Sequence, residues 1–359
     1  MSLIKYGWDE EWEVKASAYF SQEKELVAGR VTREHKGLYQ VWTEEGAMLS
    51  EVSGKYRFDA VERRDYPAVG DWVLLAPRTN EGKATIHKLL PRKSCFSRKE
   101  AGTVTNEQIV AANIDTVFLV MALNQDFNVR RLERYMTMSW ESGANPVIIL
   151  SKADLCEDLD EKILEVEGVA YGVPVHVVSV VKNEGLDQLV ELYIGEGKSV
   201  ALLGSSGVGK STIINALLGE EVQEVKDIRE DDAKGRHTTT HRELFVLPEG
   251  GILVDTPGMR ELQLWGSDEG YGFQHSFVDI EGFGRNCRFR DCMHNDEPGC
   301  AIQLAIETGD LDQSRFESYK KLQRELAYIE KKAEGKARIV EKQRGKQHAK
   351  WIKQKKKWG

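Results

Sequence analysis

Eight consecutive residues, Gly204, Ser205, Ser206, Gly207, Val208, Gly209, Lys210 and Ser211, spell G-x-x-x-x-G-K-[S/T]. Glycines at these places let backbone N–H groups converge on phosphate oxygens. In such a loop Lys210 reaches the β- and γ-phosphates, Ser211 holds Mg²⁺, and Thr212 follows in a helix whose N-terminus favours the anion. A second group lies near the other end of the chain. Cys287, Cys292, His294 and Cys300 bring three thiols and one imidazole into 14 residues, an accepted tetrahedral set for zinc. Four protein ligands leave no open position, so one structural Zn²⁺ is expected, with Asp296, Glu297, Pro298 and Gly299 supplying the turn. Free or redox thiols are the alternative.

Ser151, Lys152, Ala153 and Asp154 resemble the N/T-K-x-D element of GTPases. There a carboxylate accepts hydrogen bonds from guanine N1–H and the 2-amino group. Adenine offers neither donor and would leave a buried charge unpaired. Asp154 is the expected guanine reader, and Lys152 packs its stem along the base. Ser151 stands where asparagine is usual, which puts more of the selection on Asp154. An ordinary strand-to-helix turn capped by Asp is the plainer reading of these four residues alone. Val178, Ser179 and Val180 are expected to form a last base-contacting loop.

Asp255, Thr256, Pro257 and Gly258 fit D-x-x-G. Asp255 would hold Mg²⁺ through water, and the Gly258 N–H would sense the γ-phosphate. Between the two phosphate elements lies Gly235-Arg236-His237-Thr238-Thr239-Thr240. Thr239 is the expected switch threonine on Mg²⁺, with Thr238 and Thr240 as competitors. Met259 follows the D-x-x-G element, so no glutamine stands where many GTPases keep their water-orienting one. His237 is the nearest polar candidate for that task; a structural role in the switch is its alternative.

These residues need strands and helices to bring them together. Residues 199–203 form an apolar run of the buried-strand kind, and Ile213, Ile214, Leu217 and Leu218 recur at helical spacing. Apolar runs at 114–123, 146–150, 173–179 and 251–254 predict further strands, and 128–142 a helix. The alternation predicts a doubly wound α/β domain over 111–265. Its elements come in a circularly permuted order, base recognition before the phosphate loop, which the usual closeness of domain termini tolerates.

Before it, short alternating runs at 27–32, 38–42, 55–58, 72–75 and 84–90 predict a small β-barrel over 26–95, an OB-fold being one solution. Tyr39, Trp42, Tyr56 and Phe58, with Arg57, Arg63 and Arg64, could stack bases and bind a backbone there; packing into the barrel core is the alternative. Residues 1–25 form an N-terminal segment of no clear pattern, and 96–110 read as a linker. Residues 266–359 hold the cysteine cluster, a helix near 317–332 and a basic tail with Trp351 and Trp358, suited to RNA phosphates and bases.

Charge divides along the chain. Residues 318–359 carry 15 Lys/Arg against 4 Glu, a net of +11, and the remaining 317 residues carry −19 of the total −8. An acidic body with a basic end suits a polyanion partner at one end. Hydrophobic content of 41% and charged content of 30% read as a globular protein. With no secretory h-region and no run of membrane-spanning length, cytoplasmic localisation and no membrane contact are expected. Five cysteines, three of them clustered, do not read as a disulfide framework.

Barrel, permuted GTPase with Gly-Arg-His-Thr-Thr-Thr and Asp-Thr-Pro-Gly-Met-Arg-Glu, and Cys-x4-Cys-x-His-x5-Cys together resemble the bacterial ribosome small-subunit-dependent GTPase A family over nearly the whole chain. The resemblance implies a GTPase that binds the 30S subunit and its 16S rRNA late in assembly. It implies hydrolysis stimulated by the subunit, release after hydrolysis to GDP, and RNA contacts from the barrel and zinc domains. A monomer is expected. A protein of another class, which binds RNA and uses GTP as a ligand with little catalysis, is the alternative that the missing glutamine supports.

Overall fold

The computed structural model describes residues 2–20, 26–78, 81–99, 107–219, 243–248, 250–255, 271–295, 297–329, 331 and 335. The chain divides into two compact units, Met1–Gln263 and Leu264–Gly359.

The first unit begins with a 3₁₀ turn, Leu3–Tyr6, and helix α1, Glu10–Phe20. Trp12 and Ala16 of α1 are buried with Leu3, Tyr6, Trp72, Leu74 and Leu90, so the segment without a clear pattern is a packed cover on the strands that follow. Those strands are β1 (Val27–His35), β2 (Leu38–Thr43), β3 (Gly46–Val52), β4 (Trp72–Arg78) and β5 (Lys83–Leu89). They pair in the order β1-β2-β3-β5-β4, and β4 returns to β1, which closes the barrel. β3 and β5 run parallel and the other pairs antiparallel. This is an OB-type barrel, with Val31, Tyr39, Val41, Val73, Leu75 and Ile86 in its core.

The structure departs from the sequence pattern at two places. Residues 55–58 are not a strand. Helix α2, Gly54–Asp59, starts where the Ser53 hydroxyl caps the Tyr56 N–H at 3.0 Å; the missing fifth strand is β3. Residues 96–110 are not a bare linker: β6 (Cys95–Lys99) and β7 (Glu107–Ala112) pair as an antiparallel ribbon.

The α/β part then alternates as expected: β8 (Thr116–Ala122), α3 (Val129–Ser142), β9 (Asn145–Ser151), α4 (Leu159–Glu167), β10 (Val175–Val178), α5 (Leu186–Tyr193), β11 (Ser199–Leu203) and α6 (Lys210–Leu218). β12 (Glu243–Val246) and β13 (Ile252–Asp255) complete it. The sheet order is β10-β9-β8-β11-β13-β12, all parallel except β12. Central strands buried on both faces explain the unbroken apolar runs at 117–123 and 200–203. From β8 the chain winds outward through β9 and β10, then crosses to β11 on the other side. The crevice beyond the C-terminal ends of β8 and β11 is thus the topological switch point, where such sheets bind ligands.

In the second unit, α7 (Tyr271–Ser276), α8 (Val278–Gly284), α9 (Ala301–Thr308) and the helical residues 313–329 enclose Phe273, Phe277, Ile280, Ile302, Leu311 and Phe316.

Candidate nucleotide site and metal centre

The loop 204–209 leaves β11 at the switch point and enters α6. A Cβ on Gly204 would lie 2.3 Å from the Val120 carbonyl oxygen, so only glycine lets the loop leave pressed against β8. Gly209 caps α6 with φ +98°, a conformation that favours glycine. Val208 is buried in the sheet's core, whereas Ser206 and Gly207 are exposed on the rim. The Lys210 ammonium donates to the carbonyls of Gly204 and Ser205 at 2.8 and 2.5 Å. The loop is thereby closed around its own cation beside the N-terminus of α6, where backbone N–H groups favour an anion. Ser211 and Thr212 lie in the first turn of that helix, half-buried.

The expected base-recognition element, residues 151–154, sits at the same sheet edge. β9 ends at Ser151, Lys152 turns the chain with φ +59°, and Ala153–Leu155 is a 3₁₀ turn. Asp154 Oδ1 accepts a 2.6 Å hydrogen bond from the Ser179 hydroxyl, which itself accepts from the Lys182 N–H at 3.2 Å. Ser179 is buried, so the expected last loop fixes the Asp154 carboxylate. The Ser151 hydroxyl points elsewhere than the base position that its place in the element suggested. It is buried and donates to the Val208 carbonyl at 2.6 Å, with the Met121 carbonyl at 3.3 Å. Ser151 thus ties the base element to the phosphate loop.

One constellation had no counterpart in the sequence reading. Asn128 caps α3, its Oδ1 accepting from the Arg131 N–H at 2.9 Å. The Arg131 Nη1 donates to both Asp126 carboxylate oxygens, at 2.8 and 2.7 Å, and to the Ser205 hydroxyl. Polar Asn124, Asp126 and Asn128 directly after the apolar strand β8 were the available signal.

Asp255 ends β13, paired in register with Glu243 of β12. His237, Thr239, with its competitors Thr238 and Thr240, and Gly258 lie outside the described residues, as does the basic tail beyond residue 335. On the barrel, the aromatic set splits. Tyr39 is in the core, Tyr56 packs against it and donates to the Asp65 carbonyl at 2.5 Å, and Trp42 stacks on Tyr6 with ring centroids 4.6 Å apart. For these three the core alternative is the correct one. Phe58 is 87% exposed next to exposed Arg57; Arg64 is also exposed, and exposed Arg63 is paired to Glu34.

In the second unit the ligand atoms of Cys287, Cys292, His294 and Cys300 all lie within 4.8 Å of one another. His294 Nδ1 is 3.5 Å from both Cys287 Sγ and Cys300 Sγ, and those sulfurs are 3.9 Å apart. The donors are positioned from outside. Gln303 Nε2 donates to the His294 carbonyl at 2.7 Å, and the Glu297 carboxylate accepts from the N–H groups of Met293 and Asn295 at 3.0 and 2.8 Å. Cys300 occupies the N-cap of α9. Burial opposes ionisation of Cys287, but the N–H groups of Ala301 and Ile302, together with the Cys300 and Cys292 thiols, hold this thiol below its usual pKa. Burial pushes Cys292 up to about 11. A cluster of three sulfurs and one imidazole nitrogen can hold a metal ion.

Comparison with known proteins finds GTPases. A family model described as RsgA GTPase matches residues 89–265, and one described as 50S ribosome-binding GTPase matches 199–340. The chain is 48% identical over 320 residues to Small ribosomal subunit biogenesis GTPase RsgA 1 of Oceanobacillus iheyensis, covering 89% of this chain and 91% of that one. It is 45% identical over 358 residues to RsgA 2 of Lactiplantibacillus plantarum, covering 99% and 98%. Among solved structures, YjeQ from Thermotoga maritima superposes with a TM-score of 0.63 at 28% identity, over 84% of this chain and 99% of that one. YloQ, described as a circularly permuted GTPase, gives 0.58 at 23% identity over 86% and 96% and supports the fold.

Proposed function

The chain belongs to the RsgA GTPase family, and from that membership we propose that it hydrolyses GTP on the small (30S) ribosomal subunit, late in subunit assembly. The observation that carries the reading is the joining of two elements 57 residues apart: Ser151 hydrogen-bonds Val208, so a guanine-type element and a phosphate loop form one site in permuted order. The names of relatives covering most of this chain support the small subunit as partner.

In the mechanism, Asp154, held by Ser179, accepts from guanine N1–H and the 2-amino group, and Lys152 lies along the base. Ser205 to Thr212 present N–H groups to the phosphates, and Lys210 lies over their β- and γ-oxygens. Mg²⁺ would be held by Ser211, Thr239 and, through water, Asp255, and would neutralise charge on the β- and γ-phosphates. The Gly258 N–H reports the γ-phosphate. His237 is proposed to orient the attacking water, since Met259 cannot. Docking on 16S rRNA speeds attack, and hydrolysis releases the protein with GDP.

Zn²⁺ is proposed at Cys287, Cys292, His294 and Cys300. A tetrahedral site with Zn–S near 2.3 Å sets its sulfurs about 3.8 Å apart, and the 3.9 Å between Cys287 and Cys300 fits. Its role is structural. The proposed division is an N-terminal segment (1–25), the barrel (26–95), a connection (96–110), the GTPase domain (111–265) and the zinc domain with basic tail (266–359). The protein is proposed to act as a cytoplasmic monomer; no described helix is long and apolar enough to cross a membrane.

GTP turnover measured alone and with purified 30S, 50S and 70S particles tests the reading. The expected result is slow intrinsic turnover and a large rise with 30S subunits. Equal rates with and without 30S would overturn it, and a rise with 50S alone would favour the other family description. Met259 in the glutamine position favours a second reading, an RNA-binding protein with GTP as ligand; single-turnover hydrolysis absent even with subunits would select it.

A further inference from the structure

The phosphate loop is braced from behind by a charged pair. Ser205 is the first variable residue of the loop, and Lys210 and Arg131 converge on it: Lys210 on its carbonyl oxygen, Arg131 on its hydroxyl. The two differ in origin. Lys210 belongs to the loop's own helix, whereas Arg131 comes from the first turn of α3, across the switch-point crevice and 74 residues away. Arg131 is itself held twice. Its backbone N–H is fixed by Asn128, and its guanidinium lies on the Asp126 carboxylate at 2.7–2.8 Å. A planar guanidinium positioned by a carboxylate has little freedom left to lose when it bonds a further acceptor.

We propose that Arg131 is a positioning residue for nucleotide binding, which sets the curvature of the phosphate loop by holding Ser205 from α3. The inference rests on residues 204–211 being the phosphate loop of the GTPase. The reason for such a brace is geometric. The loop's N–H groups bind phosphate only while they point at one centre, and residues 205–207 form its least buried arc. Val208 is fixed by burial and by Ser151, and Gly204 by contact with Val120. Between these anchors, Ser205 is held through the Lys210 bond to its carbonyl and the Arg131 bond to its hydroxyl. The brace acts on the loop whatever the phosphate number, so it strengthens GDP and GTP binding alike and leaves the hydrolytic step alone. That signature separates it from a cation that touches the γ-phosphate, which would favour GTP over GDP.

The test uses the full-length protein and fluorescent N-methylanthraniloyl derivatives of GDP and of a non-hydrolysable GTP analogue. Variants are Arg131→Gln, Arg131→Lys, Ser205→Ala and the double variant Arg131→Gln/Ser205→Ala. Loss of a charge-assisted hydrogen bond predicts roughly tenfold weaker binding of both nucleotides for Arg131→Gln and for Ser205→Ala. The double variant is expected to be no weaker than Arg131→Gln alone, since both remove one interaction. Arg131→Lys, which keeps the charge, recovers part of the loss. In turnover with 30S subunits, KM for GTP rises while kcat at saturation stays within about threefold. Unchanged affinities, additive losses in the double variant, or a loss confined to the GTP analogue would each overturn the proposal. If Arg131→Gln lowers the thermal midpoint of the nucleotide-free protein, Ser205→Ala alone decides: normal binding overturns the proposal and a tenfold loss supports it. Failure of the unsubstituted protein to bind either nucleotide would instead sink the GTPase reading beneath it.

Discussion

The hydroxyl of Ser151 lies 2.6 Å from the carbonyl oxygen of Val208, so the last residue of β9 and the fourth variable residue of the phosphate loop are hydrogen-bonded to each other. The serine that stands where asparagine is usual acts on the loop instead. Ser151→Ala is therefore expected to weaken GDP and GTP together by roughly fivefold, the share of one buried hydrogen bond. Guanine over xanthine preference should not change. Competition binding with GDP and XDP checks both parts; a change in base preference would count against this role.

Base choice is proposed for Asp154, whose Oδ1 is fixed by Ser179 at 2.6 Å. Asp154→Asn replaces a carboxylate, whose two oxygens only accept, with an amide that offers a donor to the 2-oxo group of xanthine. GTP affinity should fall at least about a hundredfold, because guanine then loses two charge-assisted bonds, while XTP becomes the better ligand. Ser179→Ala, which frees the carboxylate to rotate, should cost only about three- to tenfold and keep guanine preferred. Hydrolysis rates with GTP and XTP read out the exchange.

The cysteine cluster predicts one zinc per chain by elemental analysis and its loss in Cys287→Ser. Because the ion binds thiolates and neutral imidazole, protons compete with it: retention falls as pH falls and is restored as pH rises. Stripping the ion with a chelator should unfold the second unit first. The N-terminus of α9, which lowers the Cys287 pKa, and the Glu297 turn are organised around the ligands. Binding of fluorescent GDP, whose contacts lie in the first unit, should survive that treatment. Simultaneous loss of both would show that the units do not fold independently.

What was legible in the sequence was what repeats locally. Val200 to Leu203, Ile213 and Leu217 show a buried strand and a helix face within one window, and the phosphate loop between them followed. β3 escaped because its inward residues are Met48, Ser50 and Val52, a weak alternation. Lys55 to Phe58 alternates as a strand should, yet the Ser53 cap turns it into a helix and leaves Phe58 in solvent. Arg131 and Ser205 meet only through the sheet order, and no local period encodes a contact across 74 residues. Ser151 was found, but its role depended on which way its hydroxyl turns.

Arg30 gives the last prediction. It is 2% exposed on β1, and its guanidinium donates to the carbonyls of Tyr6 at 2.6 Å, Asn113 at 2.8 Å and Gly70 at 3.3 Å. It therefore joins the N-terminal cover, the barrel and the residue that leads into β8. Burial lowers its pKa to about 10, with Asp115 and Asp71 opposing the shift, so it stays charged at neutral pH. Arg30→Met keeps the stem over Trp72 but removes all three bonds. The Gly70 carbonyl keeps another donor, Asn113 Nδ2 at 3.1 Å, and the Asn113 carbonyl lies 2.9 Å from a Ser199 hydroxyl whose one proton it shares with the Asp115 carboxylate at 2.6 Å. The cost should thus be about 2–4 kcal/mol rather than that of three orphaned acceptors. Arg30→Lys should not rescue it, because an ammonium cannot span three carbonyls and brings its own desolvation. Urea unfolding followed by tryptophan fluorescence measures the loss. A shift of less than about 1 kcal/mol in both variants would mean that the junction between barrel and sheet is held by packing alone.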